Sequence, residues 1–335
     1  MSDLRIGVVG LGRLGSRHAE NILNIPGCEL TAVCATTAEK VKQYQEKWAV
    51  PFGYTDTLRM FKEGGLDAVV IASSSSEHCQ QVLDALESGL HVFCEKPLGL
   101  TLEECIQVRE KAEEFPEQCL MLGFMRRFDP SYQFMKKQIL GGRIGTPILI
   151  RCYSLDPEYL IDGLLRFAET SGGLFVDMGV HDIDLARWLL ESEVEQVYAL
   201  GGCYLYDELK VHGDMDNAAA LMTFEKRAIG QFYSGRTASH GYHIETEVVG
   251  TKGTLRLSPV PAKNQVMLFN EQGAVEECVY DFLERFEVAF KQEMQAFIQG
   301  VQTGEKLYPD AGDGVKATQA ALKAVESVNS GMVVR

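Results

Sequence analysis

No run of apolar residues in this 335-residue chain approaches the ~18 that would span a membrane. Basic residues are scarce: Lys plus Arg number 32 against 47 Asp plus Glu, a net charge of −15. A chain this acidic is a poor match for a phosphate backbone or an anionic bilayer, so neither a nucleic acid nor a membrane is expected as partner. The nine cysteines form no CxxC pair, which argues against a zinc site and against a disulfide framework. They read as reduced core residues, and no metal is expected. No charged-then-apolar leader is present. Arg5–Gly10 is too short for the apolar part of a signal peptide, and a cytoplasmic protein is expected. Internal repeats and low-complexity linkers are also lacking. The length exceeds the ~250–300 residues at which a single core stops growing, so two domains are expected.

The first 120 residues alternate strand and helix patterns. Strand-like runs fall at Arg5–Val9, Leu30–Cys34, Ala68–Ala72, His91–Cys94 and Leu120–Gly123. The first is followed by glycines and an apolar 3.6-residue pattern (Ala19, Ile22, Leu23). Thr36-x-x-Glu39, Ser74-x-x-Glu77 and Thr101-x-x-Glu104 have the form of helix capping boxes. Alternating βαβα implies a parallel, doubly wound sheet of the Rossmann type. The rhythm then changes. Helical patterns cover Pro130–Leu140 and Asp177–Leu190. Strand runs follow at Val194–Leu205, Ala218–Phe224, Ala228–Arg236, Glu245–Leu257 and Gln265–Phe269, several joined by short turns. Such strands build an antiparallel sheet. Helical patterns near Phe282–Gly300 and Gly312–Asn329 finish the chain. The expected architecture is α/β: a doubly wound domain over residues 1–123, then an α+β domain over 124–335 with an open, largely antiparallel sheet. An open sheet invites oligomerisation.

Gly10-Leu11-Gly12-Arg13-Leu14-Gly15 is G-x-G-x-x-G between a strand and a helix. The first Gly permits a tight turn, the second lets backbone approach a pyrophosphate, and the third lets helix pack on strand. The helix N-terminus then offers amide donors to the anion. A dinucleotide is the expected ligand. The acidic residue that grips the adenosine ribose belongs ~20 residues on, at the end of the second strand. Here Val33-Cys34-Ala35-Thr36-Thr37 holds no carboxylate, and no Arg for a 2′-phosphate. The threonine hydroxyls suit either cofactor, with a helix cap as the alternative role for Thr36. The missing Arg favours NAD, and NADP stays open.

His91-Val92-Phe93-Cys94-Glu95-Lys96-Pro97 sets a Glu-Lys-Pro tripeptide at the carboxyl end of a strand, where ligands bind in such sheets. A Lys⁺ there can favour a developing alkoxide. Farther on, Asp177, His181, Asp184 and Trp188 fall on one side of a helix at about 100° per residue. An i, i+4 carboxylate–imidazole pair can orient the ring and make His181 a general base. Cys34 and Cys94 have no visible base partner and are not read as nucleophiles.

These motifs resemble the glucose–fructose oxidoreductase/inositol dehydrogenase (Gfo/Idh/MocA) family. The likeness is carried by Gly10-x-Gly12-Arg13-x-Gly15-x-x-His18-Ala19, by Ile71-Ala72-Ser73 followed by His78, by Glu95-Lys96-Pro97-Leu98, and by Asp177-x-x-x-His181. The resemblance implies that Lys96, Asp177 and His181 are catalytic. It implies cofactor contacts at Gly10, Gly12, Arg13, Leu14, Gly15, Ala35, Thr36, Thr37, Ser73, Ser74, His78, Glu95 and Lys96. His18 reads as packing. Gly123–Pro130, Asp156-Pro157, Ser171–Phe175 and the Gly241-Tyr242 pair are similar to the inositol dehydrogenase branch. That implies substrate contacts at Lys96, Arg127, Asp156, Asp177, His181 and Tyr242. A local ion-pair network is the alternative role for Arg126, Arg127 and Asp129. The implied reaction is oxidation of a ring hydroxyl of a small polyol, myo- or scyllo-inositol, by an NAD(P)-dependent enzyme that forms a homotetramer. Two alternatives stay open: a pyranose sugar dehydrogenase, and a catalytically silent dinucleotide-binding sensor. His243, where the branch often has Asp, and the segment Glu158–Glu169 depart from its pattern.

Overall fold

The computed structural model describes residues 3–257, 262–271 and 273–335. The chain divides into two compact units. One comprises Met1–Phe128 with Val288–Thr318, the other Asp129–Glu287 with Gln319–Arg335. The sequence division after Gly123 follows chain order. It does not provide for the return of Val288–Thr318 to the first unit.

The first unit alternates β1 (Leu4–Val9), α1 (Arg13–Ile22), β2 (Cys28–Cys34), α2 (Ala38–Trp48), β3 (Phe52–Tyr54), α3 (Thr57–Glu63), β4 (Ala68–Ile71), α4 (Ser75–Glu87), β5 (His91–Glu95), α5 (Leu102–Glu114) and β6 (Leu120–Gly123). The strands form one parallel sheet in the order β3-β2-β1-β4-β5-β6. The direction of winding reverses between β1 and β4, which opens a crevice at their carboxyl ends. β4 is apolar throughout (Ala68, Val69, Val70, Ile71) and fully buried, as a strand covered on both faces must be. β3 and α3 are absent from the sequence reading. β3 is three residues long and largely exposed, too short for any periodicity to register.

Of the three capping-box patterns, only Thr101 forms the full box. Its hydroxyl accepts from the Glu104 amide at 3.1 Å, and the Glu104 carboxylate accepts from the Thr101 amide at 3.0 Å. α2 is capped by Thr37, whose hydroxyl accepts from the Lys40 amide at 3.3 Å, and not by Thr36. Ser74 stands at the cap position of α4 without a side-chain bond there.

The second unit contains α6 (Pro130–Leu140), β7 (Pro147–Pro157), α7 (Ile161–Leu165), α8 (Val180–Leu190), β8 (Val194–Gly202), β9 (Asn217–Phe224), β10 (Ile229–Ala238), β11 (His243–Gly250), β12 (Gly253–Arg256), β13 (Ala262–Asn270), β14 (Gly273–Cys278) and α9 (Phe282–Arg285). Six strands form one sheet in the order β12-β11-β7-β10-β9-β8, and β13 and β14 pair apart as a hairpin. Pairing is antiparallel except between β7 and β10, which run parallel. β7 is central to the sheet, yet the sequence reading missed it. Apolar and polar residues are mixed on both faces (Ile150 and Cys152 with Ser154 inward, Leu149 and Tyr153 with Arg151 outward), so the clean alternation of a half-exposed strand is lost. The terminal helices are α10 (Glu287–Thr303) and α11 (Ala311–Ser330). Met294, Phe297 and Ile298 of α10 join Ile6, Val8, Val33, Val70 and Phe93 in the core of the first unit, which is why this late segment returns there. Among the described residues, no helix is long and apolar enough to cross a membrane.

Candidate active site

Each unit brings part of the expected residue set together. In the first, the turn after β1 needs its glycines. Gly10 has φ +84°, and a Cβ there would lie 2.4 Å from the Ala72 carbonyl oxygen. A Cβ on Gly15 would lie 1.7 Å from the Gly10 carbonyl oxygen, so this glycine alone lets α1 approach the loop. Around Gly12 there is no atom within 4 Å of where a Cβ would be. An open N-cap with amides at a helix start fits a pyrophosphate. Arg13, Thr36 and Thr37 are exposed, Leu14 is half-buried, and Ala35 is buried at the end of β2. Ser73 follows β4 beside Gly10, and its hydroxyl donates to Gln81 Oε1 at 2.7 Å.

Lys96 follows the last residue of β5. Its amide donates to Glu95 Oε2 at 3.2 Å. The Glu95 side chain is turned inward, 4 % exposed, with Oε1 2.7 Å from His18 Nε2. His78 is equally buried. Its Nδ1 lies 2.8 Å from the Pro97 carbonyl oxygen and its Nε2 3.3 Å from that of Ser73. Burial holds its pKa below the ordinary histidine value. A neutral ring has one N–H, so the shorter contact marks Nδ1 as the donor. His78 thus ties the segment after Lys96 to the loop after β4. Arg127, in a 3₁₀ turn (Met125–Phe128), forks onto Asp313 with bonds of 3.2 and 2.9 Å.

In the second unit, Ser171-Gly172-Gly173 turns with φ of +80° and +81° at the two glycines. Leu174 then donates its amide to Asp214 Oδ1 at 2.7 Å. The next residues, Phe175–Gly179, form a π-helical turn before α8 begins. Such insertions re-aim side chains and are frequent at functional sites. Here Asp177 and His181 stay partly exposed, while Asp184 is buried and pairs with Arg187 at 3.6 Å. The expected shared face therefore loses Asp184. Asp182, its neighbour on α8, accepts from the Ser154 hydroxyl at 2.5 Å and anchors the helix to β7.

Arg236 is the residue the sequence reading missed. Its guanidinium is 1 % exposed, bonded to Asp214 and to the Met215 carbonyl, and 3.7 Å from Asp177 Oδ2. A buried cation thus stands behind the Asp177 carboxylate. The signal was present: Phe232, Ser234 and Arg236 share the inward face of β10, and a charge in that register must have a partner. Asp156 ends β7 half-buried. Tyr242, 4 % exposed, immediately precedes His243, which pairs with Leu155. Asp129 caps α6 and accepts from Arg285 at 2.8 Å. Cys34 and Cys94 are buried. Burial pushes the Cys34 thiol up to about 12 and Cys94 well above its usual value, which suits core thiols and not nucleophiles.

Comparison with known proteins agrees along the whole chain. Residues 4–124 match a family described as the oxidoreductase family (Gfo/Idh/MocA), NAD-binding Rossmann fold. Residues 136–335 match the C-terminal alpha/beta domain of the same family. The chain is 35% identical over 331 residues to myo-inositol 2-dehydrogenase of Thermotoga maritima, covering 98% of both. It is 39% identical, with TM-score 0.95 and 99% of both chains covered, to scyllo-inositol dehydrogenase of Lactobacillus casei solved with bound NAD(H) and scyllo-inositol. Against myo-inositol 2-dehydrogenase of Lactobacillus plantarum the identity is 36% and the TM-score 0.97, over 99% of both chains.

Proposed function

The chain belongs to the Gfo/Idh/MocA oxidoreductase family, and from that premise we propose that it oxidises one ring hydroxyl of an inositol, myo or scyllo, to the ketone with NAD. The observation that carries this reading is the full-length likeness to the scyllo-inositol dehydrogenase complex, joined to a glycine cradle that fits a pyrophosphate. When bound, NAD supplies the hydride acceptor. Gly10, Gly12 and Gly15 let backbone reach its phosphates. Arg13, Leu14, Ala35, Thr36, Thr37, Ser73 and Ser74 are assigned to its binding.

His181 takes the proton of the substrate hydroxyl as the C–H bond breaks. Asp177 orients that imidazole and balances the charge it gains. The Lys96 ammonium donates to the same oxygen and favours its alkoxide character. Asp156 and Tyr242 are assigned to other ring hydroxyls, which a polyol needs hydrogen-bonding side chains to read. Arg127 is assigned to shaping the site through its fork with Asp313. The silent-sensor alternative is weakened because all three catalytic positions are filled.

The cytoplasm is the proposed location, and a homotetramer the proposed assembly. The outward face of the second unit's sheet carries exposed Tyr198, Leu200, Leu221 and Ile229, an apolar surface that suits burial against another copy.

The test is absorbance at the reduced-nicotinamide band, with NAD or NADP against myo-, scyllo- and chiro-inositol, glucose and xylose. Turnover with an inositol is expected, and Lys96→Met abolishes it while NAD still binds. Turnover with a sugar alone moves the protein to the pyranose reading. Full activity of Lys96→Met refutes the mechanism.

A further inference from the structure

We infer that His18, Glu95 and Glu293 form a buried triad, with Glu293 the neutral acid, that positions Lys96. The second half of this inference rests on the catalytic reading of Lys96. The first half does not.

Glu293 lies on α10 with no solvent exposure, and neither carboxyl oxygen has a hydrogen-bond partner. His18 Nδ1 is likewise buried and unpartnered. One ligand-type atom from each of His18, Glu95 and Glu293 lies within 4.8 Å of the others. The walls are aromatic. Phe93 and Phe290 stand edge-on to the His18 ring at 5.0 and 5.9 Å, and Phe297 packs edge-on to Phe93. The titratable groups facing Glu293 are therefore His18 from α1 and Glu95 from β5. Gly123 closes the site, since a Cβ there would lie 2.8 Å from Glu95 Oε2.

Two carboxyls this close in a dry site do not both ionise. Glu95 is in hydrogen-bond contact with His18 Nε2 and with the Lys96 amide, whereas Glu293 has no such contact, so the neutral acid is assigned to Glu293. Glu293 faces no donor, and burial and the Glu95 charge both push its pKa well above the usual range. A metal fits less well. His18 Nε2 and Glu95 Oε1 are 2.7 Å apart, whereas two ligands of one tetrahedral zinc ion stand about 3.3 Å apart. The consequence reaches Lys96 through the backbone. Glu95 is fixed from below by His18, and its other oxygen holds the Lys96 amide.

Infrared spectra of the full-length protein at neutral pH in heavy water are expected to show the C=O stretch of a protonated carboxylic acid, lost in Glu293→Gln. The pH dependence has a definite sign. A raised folded pKa means the folded state holds a proton that the unfolded state releases above about 4.5, so wild-type stability falls as pH rises past that value. The Tm advantage of Glu293→Gln is thus larger at pH 8 than at pH 5. For positioning, Glu95→Gln lowers kcat at least tenfold. His18→Phe does the same, and His18→Gln, whose amide replaces the Nε2 donor, recovers most of the loss. Absence of the band, or one equivalent of divalent metal in the purified protein that Glu293→Gln loses, overturns the triad. Unchanged kcat in Glu95→Gln and His18→Phe overturns the positioning role. Retained activity in Lys96→Met overturns the catalytic reading and leaves the infrared result standing.

Discussion

Replacing Arg236 by Met tests how the second unit holds Asp177, the carboxylate proposed to be catalytic. The guanidinium and Asp214 are each 1 % exposed and directly bonded. Removing one member of a buried pair costs about 3–5 kcal/mol, because the other charge is left without its partner. Asp214 keeps two donors, the amides of Leu174 at 2.7 Å and Met215 at 2.8 Å, which sets the loss near the low end, about 3 kcal/mol. For a domain of 150–250 residues each kcal/mol moves Tm by about 2–4 °C, so a fall of about 6–12 °C is expected. The effect on rate comes through Asp177. At an effective dielectric of about 20, unit charges 4 Å apart interact by roughly 4 kcal/mol. Asp177 is 34% open to solvent, which screens much of that. We expect the fraction lost to appear as about a tenfold fall in kcat, roughly 1.4 kcal/mol, with NAD affinity intact. Arg236→Lys keeps the charge without the planar fork and should recover part of the Tm but little of kcat. The assays are thermal unfolding, and steady-state kinetics well below Tm. Arg236→Met with Tm within about 1 °C of wild type and unchanged kcat would refute both the buried-pair and the orientation arguments.

Two further outcomes follow from the glycine cradle and from the buried histidines. Gly15→Ala drives a Cβ into the Gly10 carbonyl and should lower both Tm and NAD affinity, whereas Gly12→Ala meets no atom and should weaken NAD by about tenfold at unchanged Tm, as read by calorimetry. Burial lowers the folded pKa of His78, so the unfolded state binds the extra proton first and stability should decline as pH falls below about 6.5. His91 and His243 are shifted the same way, so His78→Gln should flatten the acid limb of Tm against pH only in part, and an unchanged limb would show that His78 is not buried neutral.

The doubly wound half was legible because its signals are local. Gly10, Gly12 and Gly15 are set by steric needs within one turn, and β4 is a continuous apolar run. The sequence also carried Lys96, Asp177 and His181 as neighbours of recognisable motifs. What it could not carry was anything decided by distant pairing. Glu293 reads as one more polar position on a long helix until α10 is seen to return to the first unit, 275 residues after His18. The π-helical turn at Phe175–Gly179 was equally hidden, since a 3.6-residue period counted through it places Asp184 with Asp177 and His181. β7 escaped because apolar and polar residues are mixed on both of its faces, which leaves no clean period to read.

The two units solve the same problem in the same way. A side chain that meets a polar substrate must stay accessible, and an accessible long side chain is mobile. Asp177 is held from beneath by Arg236, itself fixed by Asp214. Lys96 follows Glu95, itself fixed by His18. In each case the accessible group rests on a buried hydrogen-bonded pair whose members lie far apart in sequence: 22 residues for Arg236 and Asp214, 77 for His18 and Glu95. Such pairs add little net stability, since desolvation offsets most of their attraction. Their value is geometric: a buried polar group held by fixed partners has one low-energy arrangement, and the accessible group above it inherits that arrangement. Charge-removing substitutions beneath Lys96 or Asp177 should therefore act on kcat, whereas a substitution that only loosens packing should act on Tm and leave kcat alone.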